Sequence, residues 1–116
     1  MTTCKRGDLV VVEVRFTDGS GTKRRPALVV SGGDFNGKLP DVLVCPVSSQ
    51  PRYLKHPGPA DVPIQEWKTV GLKFPSTVRV GKTLSVDKNI IVKRIGKLPK
   101  TNCEAVENTL RLMLGL

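Results

Sequence analysis

The apolar residues of this chain come in short runs of strand length, each closed by Gly, Pro or a group of small polar residues. That punctuation favours strands joined by turns, because a half-buried strand repeats every two residues whereas a helix needs an apolar stripe at a period of 3.6. Val10, Val12, Val14 and Phe16 alternate with Leu9, Val11, Glu13 and Arg15, the pattern of a first strand with one face in a core. Residues 17–23 contain no apolar side chain and many turn formers, which predicts a surface loop. Arg25 and Pro26 then open a second strand over 27–31, where Pro is tolerated because a strand's first residue can lack a ladder donor. After a turn-rich stretch at 32–40, residues 41–47 read as a third strand.

Pro51, Pro57, Pro59 and Pro63 mark 50–63 as a long loop, with a short strand possible over 62–67 anchored by Ile64 and Trp67. Val78 and Val80 alternate with Thr77 and Arg79, and Leu84 and Val86 with Thr83 and Ser85, so two strands or one bent strand flank Gly81. Arg79 then points away from the core. Residues 90–98 fit neither period. Thr101 and Glu104 have the spacing of a capping box, and Val106, Leu110, Met113 and Leu114 follow at helical spacing, predicting a helix over 101–114 with one face on the sheet. A length of 116 residues fits a single domain over 1–116: a small, mostly antiparallel, strongly curved sheet with one or two helices.

Lys and Arg number 19 against 10 Asp and Glu, a formal charge of +9, so nucleic acid or an acidic protein is the expected partner. No stretch approaches the ~18 to 20 apolar residues of a spanning helix, and the first residues lack an apolar signal core, so a cytoplasmic protein without a membrane partner is expected. Cys4, Cys45 and Cys103 form no Cys-x-x-Cys pair and cannot all be bridged, which suits a reducing compartment. Cys45 in an apolar run and Cys103 on the apolar side of the helix read as buried thiols.

If strands two and three are antiparallel neighbours, the start of one lies beside the end of the other and Arg25 meets Ser48. The same edge gathers Asp18, Lys23, Arg24, Ser49 and Gln50. One histidine, His56 on the Pro-rich loop, together with scattered cysteines and carboxylates, gives no metal-ligand spacing and no convincing Ser–His triad. What remains suits RNA phosphodiester cleavage, in which the substrate's 2′-hydroxyl is the nucleophile and guanidinium groups stabilise charge on phosphate oxygens. An arginine stays protonated up to pH ~12, so Arg25 fits a charge stabiliser or general acid better than a base. Asp18 and substrate-assisted transfer both stand as routes for the proton.

Lys5-Arg6-Gly7-Asp8 before a Val-rich strand, Arg24-Arg25-Pro26-Ala27-Leu28-Val29-Val30-Ser31, and Cys45-Pro46-Val47-Ser48-Ser49 together resemble the MazF/PemK family of toxins from bacterial type II toxin–antitoxin pairs. The likeness continues through Pro75-Ser76-Thr77-Val78-Arg79-Val80 and Ser85-Val86-Asp87-Lys88 to the final helix. The resemblance implies an SH3-like β-barrel with a C-terminal α-helix, acting as a homodimer without metal or cofactor. It implies sequence-specific cleavage of single-stranded RNA (mRNA) through a 2′,3′-cyclic phosphate, and an acidic antitoxin as protein partner. It assigns the catalytic arginine to Arg25 and the catalytic hydroxyl to Ser48, where many members carry threonine, with RNA contacts at Asp18, Lys23, Arg24, Ser49, Gln50, Ser76 and Arg79. In the PemK branch an acidic residue follows the arginine matching Arg79 by two positions; here that position is Gly81. Two other functions are compatible with such a fold: a non-catalytic SH3-like nucleic-acid-binding module, and a gyrase-binding toxin related to CcdB.

Overall fold

The computed structural model describes residues 4–15 and 17–116, so Phe16 of the expected first strand lies outside the described residues. Strands β1 (Asp8–Arg15) and β2 (Thr22–Val29) form an antiparallel hairpin, with Leu9 opposite Leu28 at its base and Arg15 opposite Thr22 near its tip. β2 therefore starts five residues before the expected position. Residues 22–25 are polar and exposed, so they carry no apolar alternation, yet their backbones complete the ladder against β1.

β3 (Asp41–Ser48) pairs with β2 on one edge. Its other edge is shared by β6 (Leu84–Asp87), along Asp41 to Val44, and β5 (Ser76–Arg79), at Val47 and Ser48. A 3-10 turn at Val80–Lys82 joins those two strands, so the segment around Gly81 is one path bent along the edge of β3. β4 (Asp61–Ile64) pairs with β5, and β7 (Ile91–Lys97) pairs with β1. β7 has two register shifts, between the partners of Leu9 and Val10 and of Val11 and Val12, which leave Ile95 and Val92 as extra residues. Those bulges explain why 90–98 shows no clean period.

The strand order is β4-β5-β3-β2-β1-β7, with β6 added on β3, and every pairing among the described residues is antiparallel. The order ends on β4 and β7 without joining them. The mainly β class and the C-terminal helix are as expected, but the sheet is open where the SH3-like barrel implied closure.

Three α-helices are present among the described residues. α1 (Gly33–Lys38) and α2 (Pro51–Lys55) fall inside segments expected to be loop, and both are too short for a helical period to show. α1 buries Asn36, whose amide donates to Cys4 O and Ser31 O at 2.9 Å each, fixing the turn between β2 and β3. α3 (Lys100–Leu114) begins one residue before the expected start: Pro99 is the N-cap, its carbonyl accepts from Cys103 N at 3.0 Å, and no side chain caps the end. Thr101 is consequently inside the helix, and the Thr101–Glu104 capping box is not formed.

Two apolar clusters occupy opposite faces of the β1–β2–β3 sheet. Leu9, Leu28, Cys45, Val47, Val78 and Val106 belong to one; Val10, Val12, Ala27, Val29, Val44 and Val86 belong to the other. Neighbouring residues such as Leu9 and Val10 go to different clusters, as the pleat requires, and this is why the runs read as almost continuously apolar. α3 seals the first cluster with Val106, backed by the half-buried Cys103 and Leu110. Met113 and Leu114, expected on the packed face, are 46% and 66% exposed because the last turn runs past the sheet. All three cysteines are free thiols, and burial pushes each above the ordinary thiol range. No helix among the described residues is long and apolar enough to cross a membrane.

Candidate active site

The paired β2–β3 register ends with Ala27 opposite Pro46, two residues short of Arg25 on β2 and Ser48 at the end of β3. Side chains two residues apart share a face, so Arg25 sits on the side of Ala27 and Val29, and Ser48 on the side of Val44. Both open onto one cleft of about 960 Å³. Its floor is the second apolar cluster, through Val12, Ala27, Val44 and Val86. Its walls are cationic: Arg24 and Arg25 on β2, Arg79 on β5, and Lys93 and Arg94 on β7.

Seven of the nine anticipated site residues line this cleft: Arg24, Arg25, Ser48, Ser49, Gln50, Ser76 and Arg79. The Ser48 hydroxyl accepts from Gln50 N at 3.2 Å, which leaves its own proton for another acceptor. Arg24 lies 3.7 Å from the Glu13 carboxylate, an exposed pair worth little. Ser76 is 3% exposed and donates to Phe74 O at 2.8 Å, so its hydroxyl shapes the approach to β5.

Asp18 and Lys23 sit further out on the β1–β2 hairpin and are not part of the cleft lining. Asp18 accepts from Ser20 N at 2.8 Å, and the hydrogen bonds from Ser20 hold its carboxyl below the usual range, which weakens it as a proton acceptor. His56, at the end of α2, is exposed and also lies outside the lining. The residues that do line the cleft include no carboxylate and no imidazole. Among the described residues, no group of three or more His, Cys, Asp or Glu could hold a metal ion.

Sequence reasoning missed Tyr53, Lys93 and Arg94. Tyr53, the chain's one tyrosine, stands on α2 with its ring centroid 3.7 Å from the Arg79 guanidinium carbon and 4.7 Å from that of Arg52. Its hydroxyl accepts from Arg52 Nη2 at 2.6 Å. Burial alone would raise the phenol's pKa, but hydrogen bonds and charge from Arg52 and Arg79 outweigh it and hold the group below its ordinary range. The readable signal was Pro51, which suits the first position of a helix and could have placed Tyr53 on one. Lys93 and Arg94 carried no comparable signal, because the bulges of β7 decide which way they face.

A family model described as the PemK-like, MazF-like toxin of type II toxin-antitoxin system matches residues 5–114. The chain belongs to this family. Among solved structures, it is similar to a chain of a MazE-MazF crystal structure from Deinococcus radiodurans, with a TM-score of 0.84, 24% identity and coverage of 100% of this chain and 99% of that one. A MazF crystal structure from the same organism gives a TM-score of 0.77 and 25% identity, with 100% of both chains covered. An endoribonuclease in complex with its cognate antitoxin, from a mycobacterial species, gives 0.76 and 19%, covering 100% of this chain and 97% of that one. No curated protein matches the sequence. The MazF-like fold is thus shared along the whole chain while few side chains are, so the site must be argued from its own residues.

Proposed function

We propose that this member of the PemK/MazF toxin family is a metal-independent endoribonuclease that cuts single-stranded RNA at particular sequences. The observation that carries this reading is that Arg25 on β2 and Ser48 at the end of β3 line one cationic cleft with an apolar floor. The open, concave groove admits an unpaired strand, whose bases can rest on apolar surface while its phosphates meet Arg and Lys. In the reaction, the ribose 2′-oxygen attacks the adjacent phosphorus and the P–O5′ bond breaks, leaving a 2′,3′-cyclic phosphate and a 5′-hydroxyl. Arg25 stabilises charge on the non-bridging oxygens, and the Ser48 hydroxyl donates a hydrogen bond to one of them. With no carboxylate in the lining, the 2′-hydroxyl proton passes to a non-bridging oxygen of the substrate and from there to the departing O5′.

The same reading includes an acidic antitoxin and a homodimer. The similar structures from Deinococcus and a mycobacterium hold a toxin with its antitoxin, and a net charge of +9 favours an extended acidic segment in the groove that RNA would use. Leu112 and Leu114 on the last turn of α3 and Leu116 just beyond it, at 83%, 66% and 87% exposure, offer apolar surface that suits a subunit contact.

Digestion of a long single-stranded RNA in excess EDTA tests the reading. Cuts at a recurring sequence, with cyclic phosphate and 5′-hydroxyl ends, are expected. Activity lost on chelation and restored by a divalent ion would overturn the metal-free chemistry. Binding without cutting would favour the nucleic-acid-binding module, and gyrase inhibition without RNA cleavage would favour the CcdB-like alternative.

A further inference from the structure

Among the cleft-lining arginines that form ion pairs in the described residues, Arg79 is the least exposed, at 22% against 62% for Arg24 and 59% for Arg94. Its Nε lies 2.6 Å from Asp61 Oδ1, with the Asp61 side chain 8% exposed and that of Arg79 22%. The two residues face each other directly in the β4–β5 ladder, so the pair is set by strand register. Asp61's second oxygen accepts from Gly58 N at 2.8 Å, which ties the carboxylate to the turn before β4. On the other side the Tyr53 ring stacks on the guanidinium at 3.7 Å.

These contacts differ from the arrangement that the PemK resemblance led one to expect. Gly81 has no carboxylate to offer, and a Cβ there would meet Ala60 Cβ at 3.3 Å, so a larger residue needs the turn before β4 to shift slightly. The carboxylate beside Arg79 comes instead from the neighbouring strand, one residue after Ala60. Each of its oxygens accepts one hydrogen bond and its side chain is 8% exposed, which suits it to holding the Arg79 guanidinium in place.

We propose that Asp61 is a positioning residue that, with the ring of Tyr53, fixes Arg79 so that its terminal amino groups meet an RNA phosphate in the cleft. An unrestrained arginine loses rotamer freedom on binding, and an arginine clamped at Nε has lost it beforehand. The inference rests on the ribonuclease reading for its rate measurement but not for its affinity measurement.

The test is a cycle of Asp61→Asn, Arg79→Ala and the double variant in the full chain, read by single-turnover cleavage and by affinity for a fluorescent single-stranded RNA. Asp61→Asn should weaken RNA affinity roughly two- to tenfold, as freeing one side chain does, and lower the cleavage rate roughly ten- to hundredfold, as loss of positioning does. It should change neither rate nor affinity further once Arg79 is alanine, because Asp61 acts only through that side chain. Tyr53→Leu should behave like Asp61→Asn, and Tyr53→Phe, which keeps the ring and loses the hydroxyl, should fall between it and wild type. An equal effect of Asp61→Asn with and without Arg79 would overturn the proposal, as would wild-type behaviour of both Asp61→Asn and Tyr53→Leu. If Asp61→Asn does not fold, the half-buried Tyr53 pair decides the matter alone. Wild-type protein that binds RNA without cutting it would overturn the ribonuclease reading, and the affinity cycle would still decide the role of Asp61.

Discussion

Replacing Arg25 or Ser48 by alanine separates chemistry from folding, because the structure sets the two costs far apart. Arg25 is exposed on β2, takes no part in the ion pairs among the described residues, and contributes its backbone to the ladder opposite Val12, which alanine preserves. Its loss should cost no more than about 0.5 kcal/mol of stability. Ser48→Ala removes the oxygen that accepts from Gln50 N at 3.2 Å, a net contribution of about 0.5–1.5 kcal/mol. For a chain of this size that lowers Tm by roughly 2–6 °C. Losing a donor to the phosphorane typically costs about a hundredfold in rate, equivalent to ~2.7 kcal/mol of transition-state stabilisation. The rate effect should therefore exceed the stability effect severalfold in Arg25→Ala and about twofold or more in Ser48→Ala. Single-turnover cleavage, RNA affinity and thermal melts on the same preparations measure all three quantities. Arg25→Lys should fall between wild type and alanine, since it keeps the charge and loses the planar fork. Both alanine variants cleaving within about threefold of wild type while folded would place the active site elsewhere. Rate and affinity falling together in Arg25→Ala would make it a binding residue.

Two further outcomes follow from the packing and the charge. A Cβ on Gly96 would sit 2.6 Å from the Val70 carbonyl oxygen, a backbone atom, so Gly96→Ala must displace β7 or the turn that carries Gly71 and Leu72 to the cleft. A cost of about 1–3 kcal/mol and a Tm lower by roughly 4–12 °C are expected, and an unchanged melt would show that the turn yields freely. For the antitoxin, reversing the cleft charge with Arg24→Glu and Arg25→Glu together should weaken binding of the cognate acidic protein by at least tenfold at low salt. Titration calorimetry giving equal affinity for both forms would move the antitoxin site away from this cleft.

The parts of the site that the chain encodes locally were legible. Val10, Val12, Ala27, Val29 and Val44 announce strands through their spacing, and antiparallel pairing of β2 with β3 accounts for Arg25 and Ser48 lining one cleft. Ser49 and Gln50 follow by adjacency. Legibility failed where one segment's conformation depends on another. The expected loop over 50–63 contains α2 and part of β4, because Tyr53 and Asp61 are ordered by contacts with Arg79, which lies 18 residues beyond Asp61. Asp18 and Lys23 were grouped with the site because they precede Arg25, yet the hairpin carries them outward once β2 pairs along its whole length.

The sequence by itself determined the mainly β class of the fold, the C-terminal helix and the positive field. All of these rest on side-chain period or composition. Only the tertiary structure decided that the sheet stays open from β4 to β7, that bulges turn Lys93 and Arg94 toward the cleft, and that Arg79 is clamped by Asp61 and Tyr53. The physical reason is the same in each case: strand register, bulges and buried ion pairs are settled by which distant backbone a residue meets, and no local pattern carries that information.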